Sequence, residues 1–361
     1  MDQKYLSKRL YFRQIRCCLT VSLLLLMLLT GCGNAASEPP ANETGSGTGI
    51  SGGNARDDMS KSSVLDRSEK TYGETHGKGE RGEIRVSKDG KTIYVQNWVD
   101  IDQLSDKRTK KAEKIVFGKD AGVWVDWNAD YIYQSWLKDA PLVREIAVEE
   151  GNPCLYVVDG MLIQRAGAKC DGDSETLWET LILCAPCREG EIRIPEGVQY
   201  IYDCAFLECS GITSVFLPAS LKSVGGAAFG SMDSCTSIQI DKKSKTFYSQ
   251  NGILYGRDDN QYGATCIIAY PAGKRDTKYD TVPKYIREVG CGAFFGADQL
   301  REVRLPSRID MIYDSAFQDC RHLQKVVVKN RKQIAGVAKD AYDDCPRLKE
   351  YVKGENWSRR P

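Results

Sequence analysis

The stretch I-R-I-P-E-G-V-Q-Y-I-Y-D-C-A-F-L-E-C-S-G-I-T-S-V, from Ile192 to Val215, decides the fold because its pattern recurs. A second copy, D-T-V-P-K-Y-I-R-E-V-G-C-G-A-F-F-G-A-D-Q-L-R-E-V, runs from Asp280 to Val303. In each region a proline and an A-F pair repeat after 23 residues, at Pro195 and Pro218, Phe206 and Phe229, Pro283 and Pro306, and Phe294 and Phe317. A fixed period of this length predicts a solenoid, in which each repeat buries its apolar face only by stacking on its neighbours.

Each A-F or A-Y pair is followed by apolar residues at regular distances. An aliphatic residue comes six positions later, as at Ile212 and Leu300, although Phe229 reaches Ile238 only with three extra residues. Three positions before the aliphatic residue, four of five repeats carry a cysteine. The pattern predicts a repeat core made of Phe206, Phe229, Phe294, Phe317, Tyr342, Cys209, Cys235, Cys320 and Cys345.

A short strand is expected after each aliphatic residue, because apolar residues then alternate with polar ones. A larger duplication surrounds these strands, since V-R-E-I-A-V and V-D-G-M-L-I between Val143 and Ile163 match T-S-I-Q-I and Q-N-G-I-L-Y between Thr236 and Tyr255. D-G and N-G between apolar runs are tight-turn signals. Each copy is therefore predicted to insert a β-hairpin into the stack.

These residues resemble the BspA-like, or Treponema-type, leucine-rich repeat of bacterial surface proteins, over roughly Glu145 to Val352. The resemblance implies a mainly β fold with short helices or turns, a leucine-rich-repeat solenoid with inserted hairpins. It also implies an extracellular scaffold for binding or adhesion, and it transfers no catalytic residue. Upstream the pattern weakens to one degenerate repeat, represented by Ile115, Phe117, Trp136 and Val143.

The first residues form a targeting segment. Five basic residues precede an apolar run from Cys17 to Thr30, which is too short for a comfortable membrane span. The run ends in L-T-G-C, which resembles a bacterial lipobox, and this predicts that Cys32 receives diacylglycerol and anchors the chain to the membrane. The alternative is a cysteine that follows a signal peptide, or a short membrane anchor, by coincidence.

The segment that follows is poor in large apolar residues and rich in Gly, Ser, Asn and Thr, so it is predicted to be a disordered tether. As a flexible coil it would span on the order of 40 Å. The predicted organisation is a signal peptide at 1–31, a tether at 32–81, an N-terminal cap with the degenerate repeat at 82–142, the solenoid at 143–353 and a tail at 354–361.

Charge and residue counts exclude several function classes. Removing five basic and one acidic residue with the signal leaves 45 basic and 48 acidic side chains of the 50 and 49 in the chain, without a basic stripe for nucleic acid. The chain has two histidines, His76 in the tether and His322 in a repeat. It therefore offers no histidine base for a catalytic serine or cysteine and too few histidines for a metal site built from them. We predict no enzyme and no cofactor.

Fourteen cysteines in an exported chain need an explanation. The repeat cysteines are predicted to be small, reduced, buried groups, although a spacing of about 4.8 Å between neighbouring strands lies within the disulfide range. Cys184-Ala185-Pro186-Cys187 resembles a redox C-x-x-C. A cell-envelope thiol redox factor or enzyme that uses Cys184 and Cys187 is thus the alternative function.

Binding of a cell-surface protein or glycan is the leading hypothesis. The strand residues between the buried ones should point outward, and Phe216 with Arg304 is predicted to form a binding patch that also includes Glu302, Lys325, Arg193 and Gln239. A solvated face, or a purely architectural envelope protein, is the plain alternative. Trp124, Trp127 and Trp136 are expected to cap the first repeat, with binding as their alternative role.

Overall fold

A computed structural model describes residues 83–104, 106–124, 135–168, 178–258, 260 and 263–357. These residues form two short 3-10 helices, Ile101–Leu104 and Thr109–Lys111, and otherwise strands and turns. The strands are β1 (Glu83–Val86), β2 (Thr92–Gln96), β3 (Trp98–Asp100), β4 (Lys114–Phe117), β5 (Gly122–Trp124), β6 (Glu145–Val148), β7 (Leu155–Val158), β8 (Met161–Gln164), β9 (Thr180–Cys184), β10 (Gly190–Arg193), β11 (Tyr200–Ile201), β12 (Ile212–Leu217), β13 (Ser223–Val224), β14 (Ser237–Ile240), β15 (Phe247–Gln250), β16 (Ile253–Gly256), β17 (Cys266–Ala269), β18 (Lys278–Tyr279), β19 (Glu288–Val289), β20 (Glu302–Leu305), β21 (Met311–Ile312), β22 (Lys325–Val328), β23 (Gln333–Ala338), β24 (Glu350–Tyr351) and β25 (Lys353–Trp357).

The chain alternates between two rows of parallel strands, as a solenoid does. The first row consists of an N-terminal sheet (β1-β2-β4-β6), a central sheet (β10-β12-β14) and a C-terminal sheet (β18-β20-β22-β24). The second row consists of β3-β5, of β7-β8-β9-β11-β13 and of β15-β16-β17-β19-β21-β23-β25. Strands of successive turns pair in parallel, for example Val303 with Val326. The predicted mainly β solenoid is confirmed.

Two hairpins interrupt the stack where the duplication predicts them. Strands β7 and β8 pair antiparallel, as do β15 and β16. Their turns are Asp159-Gly160, with φ of 49° and 76°, and Asn251-Gly252, with φ of 53° and 76°. Two successive positive φ values are typical of a type I′ turn, which Asn-Gly and Asp-Gly favour.

The N-terminal cap continues the first row. Strands β1 and β2 form an antiparallel hairpin, with Ile84 opposite Val95, and β2 then pairs in parallel with β4. Ile115 and Phe117, which the sequence assigns to a degenerate repeat, are completely buried. Because β4 also pairs with β6 in parallel, the cap and the first full repeat share one sheet.

Aromatic rings stack along the turns that connect the two rows. Phe206 lies 5.5 Å from Phe229, and Phe294 lies 4.7 Å from Phe317, in each case between ring centroids of nearly parallel rings. Tyr270, at the end of the hairpin insertion, lies 5.2 Å from Phe294 and fills the aromatic position of its turn. The four phenylalanines are buried, as expected for repeat-core residues.

The repeat that contains Phe229 departs from the expected register. Strand pairing puts Val215 opposite Ile238, and therefore no extra residues are inserted in this repeat. Met232 takes the position that cysteine takes in other repeats, and Cys235 takes the position of the aliphatic residue. Both side chains are completely buried. The assignment of Cys235 to the cysteine position is thus wrong, because methionine and cysteine are both soft apolar groups that fill such a site.

Several predictions lie outside the described residues: the signal peptide, Cys32 with its lipid, the tether, His76 and Trp127. The domain boundaries therefore remain predictions. Within the described ranges, no helix is long and apolar enough to cross a membrane.

Candidate functional site

The C-terminal sheet presents charges that neutralise one another. Lys278, Glu302, Lys325 and Glu350 lie side by side on β18, β20, β22 and β24. Lys325 Nζ is 2.6 Å from Glu350 Oε2, and Lys278 Nζ is 2.7 Å from Asp280 Oδ2. This sheet therefore has the character of a solvated, internally paired surface.

Arg304 belongs to the same network, since its guanidinium Nε donates to Glu302 Oε1. Two of the predicted partner-binding residues are thus already engaged with each other. Exposed ion pairs of this kind contribute at most about 1 kcal/mol, so a partner could still displace them.

The central sheet differs, because its row of facing side chains holds an arginine, a phenylalanine and an amide. Arg193, Phe216 and Gln239 lie opposite one another on β10, β12 and β14. The Arg193 guanidinium carbon is 3.9 Å from the centroid of the Phe216 ring, which makes a cation–π contact. Gln239 Nε2 donates to Ser237 Oγ over 3.3 Å.

Ser214 lies beside this row and is only 9% exposed. Its Oγ makes no hydrogen bond to any described residue. A buried hydroxyl without a partner costs free energy, and such groups often mark a place where a ligand or water completes the hydrogen bonding. Arg193, Phe216, Gln239 and Ser214 therefore form a candidate binding site, which we call the central patch.

Phe216 and Arg304 are not brought together in one sheet. Phe216 lies on β12 of the central sheet, and Arg304 lies on β20 of the C-terminal sheet. Phe216 is also half-buried and covered by Arg193, whereas the sequence suggests an unpaired outward ring. The expected joint patch is corrected to two separate surfaces, because the second hairpin interrupts the first row between β14 and β18.

A second feature escapes the sequence analysis although the duplication contains its signal. Tyr156 and Arg165 recur 92 residues later as Tyr248 and Arg257. The arginine lies over the tyrosine ring in both copies, 4.5 Å from the centroid in the first and 5.0 Å in the second. Each pair sits on an inserted hairpin, where β7 and β15 are sheet edges.

Tyr248 of the second hairpin and Tyr285, which precedes β19, form a partly exposed aromatic surface. Tyr285 is 47% exposed, and its hydroxyl donates to the hydroxyl of Tyr248 over 2.8 Å. Desolvation, followed by the hydrogen bond from Tyr285, raises the pKa of Tyr248 well above its ordinary value. Tyr248 therefore stays neutral, and the exposed faces of the two rings suit stacking contacts.

The two cysteines of the C-x-x-C segment contact different parts of the structure. The Cys209 thiol of the next turn lies 3.9 Å from the carbonyl oxygen of the buried Cys184, and interaction with Cys184, together with burial, raises the pKa of Cys209. The exposed Cys187 donates its S–H to the carbonyl of Pro141 over 3.2 Å. The structure thus directs the two thiols toward different partners.

The repeat cysteines make the same hydrogen bond in successive turns. Cys320 donates to the carbonyl of Phe294 over 3.0 Å, and Cys345 donates to the carbonyl of Phe317 over 2.9 Å. Each thiol thus reaches back to the aromatic residue of the preceding turn. Cys209 and Cys320 are buried, whereas Tyr342 and Cys345 are half-buried in the last described turn.

Other candidates are structural. Trp136 is buried, donates its indole N–H to the carbonyl of Asp203 over 2.6 Å and stacks on Tyr202. His322 is half-buried, and its Nδ1 is 3.0 Å from the carbonyl of Asp298. Among the described residues, no cluster of three or more His, Cys, Asp or Glu side chains could hold a metal ion.

Comparison with known families agrees with this geometry. Residues 184–251 and 273–358 match the BspA type Leucine rich repeat region, in six copies. Over these residues the chain is similar to BspA-type leucine-rich repeat proteins. The gap in the BspA-type match, residues 252–272, contains β16 and β17, which belong to the second hairpin insertion.

Solved leucine-rich repeat structures are also similar to the chain. One is a protein from Eubacterium ventriosum, with 14% identity, 78% of this chain and 83% of that chain covered, and a TM-score of 0.42. The pneumococcal vaccine antigen PcpA has 14% identity, coverage of 77% and 81%, and a TM-score of 0.38. A T. pallidum leucine-rich repeat protein has 16% identity, coverage of 54% and 79%, and a TM-score of 0.24. No curated protein matches the chain.

Proposed function

We propose that this protein is a lipid-anchored, non-catalytic recognition protein of the bacterial cell surface, whose solenoid binds a protein or a glycan. Repeat solenoids bind partners through extended surfaces. The proposed anchor is diacylglycerol on Cys32, because L-T-G-C follows a basic segment and an apolar run. The tether would hold the repeats away from the membrane.

The central patch carries this proposal. It combines an aromatic ring, an arginine and an unsatisfied hydroxyl within one sheet, whereas the charges of the C-terminal sheet are paired with each other. Aromatic and arginine residues dominate the binding energy of protein interfaces. The Gln239 amide adds a hydrogen-bonding group that a polar partner can use. The Ser214 hydroxyl is buried, so a partner reaches it only if the side chains that cover it move.

The test is binding of the purified protein to a printed panel of extracellular-matrix proteins and glycans. The double variant Phe216→Ser with Arg193→Ser should lose at least about tenfold in affinity for any ligand found, since removal of an interface anchor costs about 2 kcal/mol or more. Its circular dichroism and thermal midpoint establish that it is folded.

The control is Arg304→Ser with Lys325→Ser, which removes two charged side chains from the C-terminal sheet, where Arg304 holds the strand position that corresponds to Phe216. Binding that this control retains and the first variant loses supports the central patch. Unchanged binding by a folded Phe216→Ser, Arg193→Ser protein contradicts it. Tyr285→Ser would then test the aromatic surface of the second hairpin, since the buried Trp136 is no longer a candidate.

A further inference from the structure

Cys320 and Cys345 occupy the same position in two successive turns. Lys325 and Glu350, each five residues further on, are direct partners in the parallel pairing of β22 with β24. Neighbouring strands lie about 4.8 Å apart, which is within the Cα separation that a disulfide bridges. Cys320 Sγ lies 3.0 Å from the carbonyl oxygen of Phe294, and Cys345 Sγ lies 2.9 Å from the carbonyl oxygen of Phe317, so the two thiols make the same contact one turn apart. Both are free thiols in this structure.

The two thiols differ in access to solvent. Cys320 is completely buried, whereas Cys345 is half-buried in the last described turn, where Tyr342 and Leu348 are also only partly covered. The neighbouring Cys320 thiol is the main cause that lowers the pKa of Cys345 below that of an ordinary thiol. The thiolate is the reactive form of cysteine, so Cys345 has both the exposure and the ionisation of an attacking group.

A second pair of neighbouring cysteines lacks this access. Cys209 Sγ lies 3.9 Å from the carbonyl oxygen of Cys184 in the preceding turn, but Cys184 and Cys209 are only 3% and 1% exposed. Cys184 takes the position of the aromatic residue of its turn, because Cys320 and Cys345 reach the carbonyls of Phe294 and Phe317 in the same way. This pair therefore serves as a control for burial and not for repeat position.

We propose that Cys345 and Cys320 form a reactive dithiol site that reduces a small disulfide and closes into an intramolecular disulfide bond. The Cys345 thiolate attacks one sulfur of the small disulfide, forms a mixed disulfide and releases the first small thiolate, which takes a proton from solvent. The Cys320 thiol then gives up its proton and attacks the Cys345 sulfur, which displaces the second small thiol. Two protein thiols are oxidised, and one disulfide is reduced to two thiols.

The experiment treats the fully reduced, folded protein with oxidised glutathione, alkylates the remaining thiols and maps the tryptic peptides by mass spectrometry. The wild type should yield a cross-linked peptide pair that contains Cys320 and Cys345, and dithiothreitol should remove it. Cys184 and Cys209 should remain alkylated as free thiols over the same period. A Cys187→Ser background removes the other exposed thiol among the described residues.

Two variants separate the steps. Cys320→Ser should stop at a stable glutathione adduct on Cys345, and Cys345→Ser should leave Cys320 unmodified because it is buried. An unmodified Cys345 in the folded wild type, or a glutathione adduct on wild-type Cys345 that never converts to the cross-link, overturns the proposal. The wild-type time course decides the matter even if a variant fails to fold.

Discussion

Asp319 lies in a turn where carboxylates of several repeats approach one another. Desolvation raises the pKa of Asp319 above its ordinary value; Arg321 acts against this shift, and repulsion from Asp298, Asp344 and Asp233 adds to it. Arg321 Nε is 3.4 Å from Asp319 Oδ1, yet the net direction is upward. The ionised form of this aspartate is therefore disfavoured in the folded protein.

The raised pKa of Asp319 makes the stability of the fold depend on pH. Because the folded-state pKa of Asp319 is raised, protonation of this carboxyl stabilises the fold. The stabilisation is complete below the unfolded-state pKa of about 3.9, and it is lost as the pH rises through the folded-state pKa. Asp319→Asn imitates the protonated form at every pH, and asparagine accepts the positive φ of 56° at this position.

We expect Asp319→Asn to raise the thermal midpoint at pH 7, and we expect the gain to disappear as the pH falls below about 3.9. Thermal unfolding followed by circular dichroism between pH 3 and pH 8 measures this. The exposed Asp120 supplies the control, since Asp120→Asn should leave the midpoint nearly unchanged at pH 7. A loss of stability at pH 7 in Asp319→Asn would show that the ion pair with Arg321 outweighs the repulsion.

The turns that carry the aromatic residues are the elements that hold the stack together. Their backbone hydrogen bonds run from one turn to the next, as from Phe294 N to the carbonyl of Ala316 over 2.7 Å. Phe294 packs between Tyr270 and Phe317, with centroid distances of 5.2 Å and 4.7 Å. A single ring thus connects the hairpin insertion with the repeat that follows.

Phe294→Ala should lower the free energy of unfolding by about 3–5 kcal/mol, the usual cost of removing a fully buried phenylalanine. Chemical denaturation measures the change. Tyr342→Ala should cost less free energy, because Tyr342 is half-buried. Within the described residues it stacks on the aromatic residue of one neighbouring turn, Phe317. If Phe294→Ala costs less than about 1 kcal/mol, the ring does not have the core role assigned to it.

The whole molecule is proposed to combine a membrane anchor, a tether and a recognition solenoid. Residues 1–82 lie outside the described structure, so the anchor depends on the L-T-G-C segment and the apolar run before it. Two kinds of anchor would retain the protein at the membrane: lipid on Cys32, or an apolar segment that is not cleaved. They predict different N-termini for the mature chain, which would begin at Cys32 in the first case and would keep the apolar segment in the second.

Cys32→Ala should release the protein from the membrane fraction, because diacylglycerol would have no acceptor. Detergent-phase partitioning together with N-terminal mass spectrometry measures this outcome. The neighbouring change Asn34→Ala leaves the acceptor cysteine in place and should remain membrane-bound. A Cys32→Ala protein that still enters the detergent phase, with the same unprocessed N-terminus as the wild type, would identify the apolar segment as the anchor.

The sequence by itself determined the solenoid, the two hairpins and the burial of residues such as Phe206 and Phe294. These features follow from local signals that need no knowledge of distant contacts. The period of 23 residues predicts the stack, and Asn251-Gly252 predicts a tight turn because its backbone conformation is local. The same locality explains why the apolar spacing around Ile115 predicts a degenerate repeat.

The tertiary structure alone decided which residues of different turns meet. The pairing of β12 with β14 corrected the position of Cys235, and the pairing of β10 with β12 put Arg193 over Phe216. The second hairpin separated Phe216 from Arg304. Gly292 shows the reason, since a Cβ there would lie 2.6 Å from the Cα of Ala227, a residue 65 positions away in the chain. Contacts of this kind depend on how turns stack across an insertion, and a single repeat does not encode that stacking.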